Sequence, residues 1–213
     1  MHAPRPLVRS SARLLAWMLL SVTPPVAGSQ DLSGLRDPQL REVASTELQA
    51  ASAKGLPSQP FIAKALEGQL KAATPDKLRI AMRALATRLA AARAQLAPAT
   101  DPELAAGADA LGVGVAPAAL KDTRRTWPTR SVALPLGVLT ELVSRGIAPP
   151  KATRQVLALM TRGVTAQQLA ALGHDVEDDI RNGRGAEAAF DLRVRGVLGA
   201  LAPPLGVTVI PRP

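Results

Sequence analysis

Cysteine and tyrosine are absent from this 213-residue chain, and two phenylalanines and two tryptophans supply all its aromatic area. Without cysteine there are no disulfides, zinc ribbons, iron–sulfur clusters or thiol nucleophiles. Exported proteins do not require disulfides, so this absence leaves the compartment open. Histidine is nearly missing too: His2 lies near the start, and His174 is the only one in the body. One histidine and no cysteine cannot make a zinc set. There is no Gly-x-Ser-x-Gly elbow to lift a serine nucleophile, and no cofactor is indicated. The alternation of β-branched residues that marks strands does not occur until the last ten residues.

What remains is alanine, leucine and valine, which suit close packing of helix on helix. The expected fold is all-α: a bundle of about nine to ten short helices read from the apolar periodicity, built from helix–Gly-turn–helix hairpins. The formal charge is +9, falling to +6 if Arg5, Arg9 and Arg13 are removed with a leader. A moderate basic excess favours an acidic surface or another envelope protein as partner without naming either.

Residues 1–28 read as a secretory signal peptide. The three arginines form a positive n-region, and the apolar h-region runs from Leu14 to Val22. Thr23-Pro24-Pro25 then breaks the helix, and Val26-Ala27-Gly28 offers small residues for cleavage. The apolar run is about half of the ~20 residues a bilayer span needs, so the reading is a cleaved leader rather than a retained anchor. No later stretch is long and apolar enough to span, which implies a soluble mature chain without a transmembrane segment. A linker follows at 29–36, then an N-terminal helical subdomain at 37–97, a C-terminal one at 102–202 and a tail at 203–213. In the tail, 206–210 has the pattern of a short extended segment.

Leu78, Met82, Leu85, Leu89, Ala92 and Leu96 are spaced 4, 3, 4, 3 and 4, which draws one apolar stripe along a helix opening at Pro75. Asp37-Pro38 marks an earlier helix start. Ile62, Ala65, Leu66 and Leu70 are expected to form the buried face of the next helix, with Glu67 and Lys71 paired outside. Residues 131–144 are apolar nearly all round and read as the central helix of the second half. Pro135 requires that helix either to begin near Leu134 or to kink. Beyond Thr165 the spacing suggests a helix through Leu169 and Leu172, then a separate acidic helix from His174 to Asn182 whose carboxylates favour its N-terminus.

One punctuation recurs at Lys54-Gly55-Leu56-Pro57, Gly114-Val115-Ala116-Pro117, Arg145-Gly146-Ile147-Ala148-Pro149 and Arg162-Gly163-Val164-Thr165. It predicts a left-handed glycine after each helix, an apolar residue folded back on the last turn, and Pro or Thr opening the next. The glycine spacings of 59, 32 and 17 are not a fixed period, so an ordinary solenoid is not expected.

Thr153 to Ala170 resembles the first two helices of a LuxR-type helix-turn-helix. That resemblance implies a further, groove-reading helix at Asp175-Val176-Glu177-Asp178-Asp179-Ile180. Its four carboxylates would be repelled by phosphate, so nucleic acid is not an expected partner. Glu67 and Glu141 are helix-borne acids of the kind lytic transglycosylases use, but that family's Glu-Ser and Gly-Leu-Met-Gln motifs are missing. The best candidate interaction patch is Lys121, Arg124, Arg125, Trp127 and Arg130, because Arg and Trp are enriched at interface hot spots. The alternative is that Trp127 fills a gap in an alanine-rich core while the arginines stay solvated. The sequence therefore reads as an exported protein with a non-enzymatic structural or protein-interaction role. An envelope hydrolase using helix-borne carboxylates is the first alternative, and a DNA binder with a misread N-terminus the second.

Overall fold

Asp37 opens the first helix as its sequence dictates. Its carboxylate accepts hydrogen bonds from the N–H groups of Gln39 (2.8 Å) and Leu40 (3.3 Å), with Pro38 at the first helical position. The structure is a computed structural model describing residues 32–201, so the leader, the first part of the linker and the tail at 203–213 lie outside the described residues. After a 3-10 turn at Leu32–Gly34 come nine α-helices among the described residues. They are α1 (Pro38–Ala53), α2 (Gln59–Leu70), α3 (Pro75–Leu96), α4 (Asp101–Gly112), α5 (Pro117–Thr126), α6 (Ala133–Ser144), α7 (Pro149–Thr161), α8 (Ala166–Arg181) and α9 (Ala186–Ala200). Among the described residues there is no strand, and no helix is long and apolar enough to cross a membrane.

The turns follow the punctuation. Gly55, Gly114, Gly146 and Gly163 have φ of 65°, 95°, 96° and 83°, the left-handed region that a side chain disfavours. After each, the N–H of the apolar residue returns to the carbonyl five residues back: Leu56 to Ala51, Val115 to Ala110, Ile147 to Leu142 and Val164 to Leu159. All four apolar side chains are buried. This is the Schellman arrangement, which satisfies terminal carbonyls and anchors the connection in the core. The turn after α2 uses the same bond, Ala73 N–H to Gly68, but the left-handed position is held by Ala72 at φ 49°.

Two apolar clusters fill the interior. One gathers α1, α2 and the stripe of α3 from Leu78 to Leu89, joined by Leu104 and Ala108 of α4. The other takes Ala92 and Leu96 from the end of α3, Ala110 from α4, and the buried faces of α5 to α9. Thus α3 and α4 serve both. They come close at Gly107, where a Cβ would meet Leu96 Cδ1 at 2.9 Å, Ala92 Cβ at 3.0 Å and Leu120 Cδ2 at 3.3 Å. Helix α6 begins at Ala133, so Pro135 falls in its first turn, where it removes no intrahelical bond.

The helices depart from the sequence-based expectation in α2 and in α8. Leu70 is 86% exposed, because the buried face of α2 is Phe61, Ile62 and Ala65 and closes a turn before the helix ends. Residues 166–181 form one helix rather than two. Leu169, Leu172, Val176 and Ile180 keep a continuous stripe across Gly173, and Gly173 is buried against the carboxylate of Glu141 in α6. Packing against a neighbouring helix overrides the breaking tendency of a lone glycine. The acidic run accordingly occupies the C-terminal half of α8, not a helix N-terminus, and the segment matched to a DNA-reading helix is the continuation of its predecessor.

Candidate functional site

The neighbourhood of Trp127 is organised by a residue that sequence reasoning missed, Glu103. It is 4% exposed. One carboxylate oxygen accepts from the N–H (2.9 Å) and hydroxyl (3.1 Å) of Thr100. The other accepts from the Val132 N–H (3.0 Å) and stands 2.7 Å from Arg124 Nη2. Burial works against the charge, but the Thr100 and Val132 donors and Arg124 together outweigh it, holding the carboxyl pKa at about 2. Thr100-x-x-Glu103 is the sequence form of a capping box, the signal that could have flagged this acid.

Glu103 decides the fate of the patch. Arg124 is drawn inward to it, and its Nη1 also donates to the Arg130 carbonyl at 3.2 Å. Trp127 is buried in the second cluster, and the Arg130 guanidinium covers its ring 3.8 Å from the centroid. Arg125 is exposed and paired with Asp122 at 2.8 Å, while Lys121 is exposed with no partner among the described residues. The five residues do adjoin. Two of them, Arg124 and Trp127, face inward as structure, which corrects the alternative expectation that all the arginines are solvated.

The outward side of α5 leads to a groove of about 610 Å³ between α5 and α7. Pro117 and Pro149 pre-set the first turns of the two helices, and the left-handed Gly114 sits at the groove's end beside Pro149. Ala118, Ala119, Leu157 and Ala158 supply an apolar floor, with Asp122, Thr153 and Arg154 along the edges. Arg154 and Arg162 are exposed and make no ion pair among the described residues.

No known family, curated protein or solved structure matches this chain.

The carboxylates of α8 and α9 are satisfied internally. Arg193 of α9 grips Asp179 through both Nε (2.7 Å) and Nη2 (2.8 Å) and reaches Asp175 at 3.4 Å. That pairing pulls the Asp179 carboxyl below its ordinary value. Glu177 pairs with Arg145 at 2.5 Å, and Asp178 with Arg181. Lys151 joins Asp191 and Glu187, which raise its ammonium above the ordinary range. Carboxylates in the last turns of a helix face an unfavourable dipole, and these arginines offset it.

Glu67 and Glu141, the helix-borne acids, are not brought together. Glu141 lies against Gly173. Glu67 is clamped between Lys64 and Lys71, each at 2.5 Å, which hold its pKa at about 2. It shares a groove of about 530 Å³ between α2 and α4 with Asp101 and Asp109. Asp109, though exposed along one edge, has its carboxyl raised by burial against the pull of Lys64 and Arg88. Among the described residues no cluster of His, Asp and Glu has the arrangement of a metal site.

Proposed function

We propose that the protein is exported and acts in the cell envelope as a non-enzymatic interaction protein, with the α5/α7 groove as its binding face. The observation that carries the reading is the groove itself, an open apolar concavity with a charged group at its edge. The floor between α5 and α7 is apolar, and Arg154 at its edge makes no ion pair among the described residues, whereas the α8 carboxylates Asp175, Glu177, Asp178 and Asp179 are each engaged by an arginine. An apolar concavity with unpaired polar groups at its rim is what a binding site requires. Export is supported by the order of the leader: arginines, then a short apolar run, then prolines and small residues. The positive-φ glycine turns support a construction from helix pairs folded back on one another.

Fractionation with N-terminal sequencing tests the reading. The expected result is a processed chain outside the cytoplasm that begins just after Gly28. An intact N-terminus in the cytoplasm overturns it.

The α2/α4 groove favours a second reading, an envelope hydrolase. It brings together Glu67, lowered by Lys64 and Lys71, and Asp109, raised by burial, so two carboxylates with different environments share one groove. Loss of a cell-wall-degrading activity in both Glu67→Gln and Asp109→Asn, with folding retained, is the result that reading requires.

A further inference from the structure

We propose that a second groove, between α8 and α9, is the seat of this chain's own residues 205–212, folded back on it from the end of α9. Neither export nor the α5/α7 groove enters into it. The α8/α9 groove holds about 580 Å³. Ala171 and Leu172 of α8 and Leu192, Gly196, Val197 and Ala200 of α9 give it an apolar lining. Leu192 is 40% exposed, more than any other large apolar side chain in residues 102–201. At Gly196 an added Cβ would meet nothing within 4 Å, so another segment can come close to the helix there. A concavity of this size and lining is suited to a short run of apolar side chains.

Chain position and length select the occupant. Arg193 meets Asp175 at 3.4 Å; from that pair α8 runs back seven residues to Gln168 and α9 runs on seven to Ala200. Gln168 and Ala200 therefore close the far end of the groove, which is about 10 Å long. Helix α9 delivers the chain to that same end, where Leu201 packs against the second cluster. Pro203 and Pro204 cannot continue the helix, and residues 202–206 are enough to reverse direction. Four extended residues, 207–210, then cover about 13 Å, the length of the groove. In an extended segment Leu205, Val207 and Val209 share one face, which seats three apolar side chains on the floor.

Arg212 follows at the Asp175 end, and the charge there suits it. The Asp175 side chain is 47% exposed, and Arg193 spends its shorter bonds, 2.7 and 2.8 Å, on Asp179. A carboxylate accepts several donors, so a second guanidinium can join Asp175. Residues 203, 204, 211 and 213 are prolines without an N–H, which suits a segment lying on helices that offer no backbone partners.

The chain has no cysteine, so Thr208→Cys, on the outer face of the segment, takes a single spin label. The label is expected to broaden the amide signals of Ala171, Leu192 and Gly196 and to leave Ala118 and Ala158 sharp. In a mixture of labelled chain with isotope-enriched, unlabelled chain, the signals of the enriched chain should stay sharp, because the segment belongs to the same molecule. Gly196→Trp, which fills the floor, should abolish the broadening while the other amide signals keep their positions. In the full chain carrying Val207→Asp and Val209→Asp, the vacated groove should bind a separate peptide of residues 203–213, which the native chain should ignore. Arg212→Glu in that peptide should weaken binding by about two- to fivefold, and Asp175→Lys in the groove should restore it. Broadening that is absent or centred elsewhere overturns the proposal. So does broadening in the mixed sample, which puts a second copy's segment in the groove. Equal peptide binding by the native and Val207→Asp/Val209→Asp chains overturns it as well, since the groove is then open to an outside partner.

Discussion

Arg124 Nη2 stands 2.7 Å from Glu103 Oε1, an ion pair inside the junction of α4, α5 and α6. The same carboxylate closes the start of α4 and holds the Val132 N–H ahead of α6, so one acid fixes three elements. Removing it leaves Arg124 half-buried and unpaired and two backbone donors without acceptors. Glu103→Ala is therefore expected to destabilise the protein by about 3 kcal/mol or more. Replacing both partners, as Glu103→Leu with Arg124→Met, should cost less than Glu103→Ala alone. Urea denaturation of these variants beside the native chain gives the comparison.

The same group sets a pH dependence. Its folded pKa of about 2 lies below the ordinary 4.5, so its stabilisation is complete above pH 4.5 and disappears as pH falls towards 2. A depression of that size corresponds to about 3 kcal/mol for so buried a group. Glu67 is depressed in the same direction, but its pairs are exposed and add little. Unfolding free energy followed from neutral pH down through this window should decline in the native chain. In Glu103→Gln the decline should be much shallower from a lower start.

Glycines at two helix positions should answer oppositely to alanine. At Gly107 the added methyl meets Leu96 and Ala92 at 3.0 Å or less, so the expected loss is about 1–3 kcal/mol despite alanine's better propensity. At Gly137 in α6 a Cβ meets nothing within 4 Å, and the same change should stabilise by up to about 1 kcal/mol. Thermal melts of the pair decide whether the α3–α4 approach depends on the missing side chain.

Left-handed turns give a matched contrast. Ala72 holds φ 49° where the punctuation turns use glycine, so Ala72→Gly is expected to stabilise by about 1 kcal/mol. Gly146→Ala, at φ 96° with open space around it, should destabilise by a similar or larger amount from backbone strain alone. Both shifts are readable from denaturation midpoints.

Much of the fold was legible because it is written locally. All six stripe residues of α3 are buried, and all four punctuation glycines take positive φ with the following apolar residue in the core. Propensity, periodicity and capping act within a few residues, so a single sequence displays them. What was not legible depends on residues far apart in the chain. Gly173 looks like a stop until Glu141 of another helix is placed over it. The acidic run looks like an N-terminal cap until Arg193, fourteen residues beyond Asp179, closes on it. In the patch, Lys121 and Arg125 stay at the surface, but no local rule says that Arg124 turns inward to meet Glu103. The α5/α7 groove was invisible for the same reason, since its two walls are separated by the whole of α6.

Helix α3 gives up most of its length to one apolar cluster and its last turn to the other. A cut in the loop at 97–100 would hand the whole rod to the N-terminal piece, with Ala92 and Leu96 stranded in water. The C-terminal piece would be left with an open socket of matching shape. Neither half is then a finished object, and the two severed pieces should seek each other and recombine.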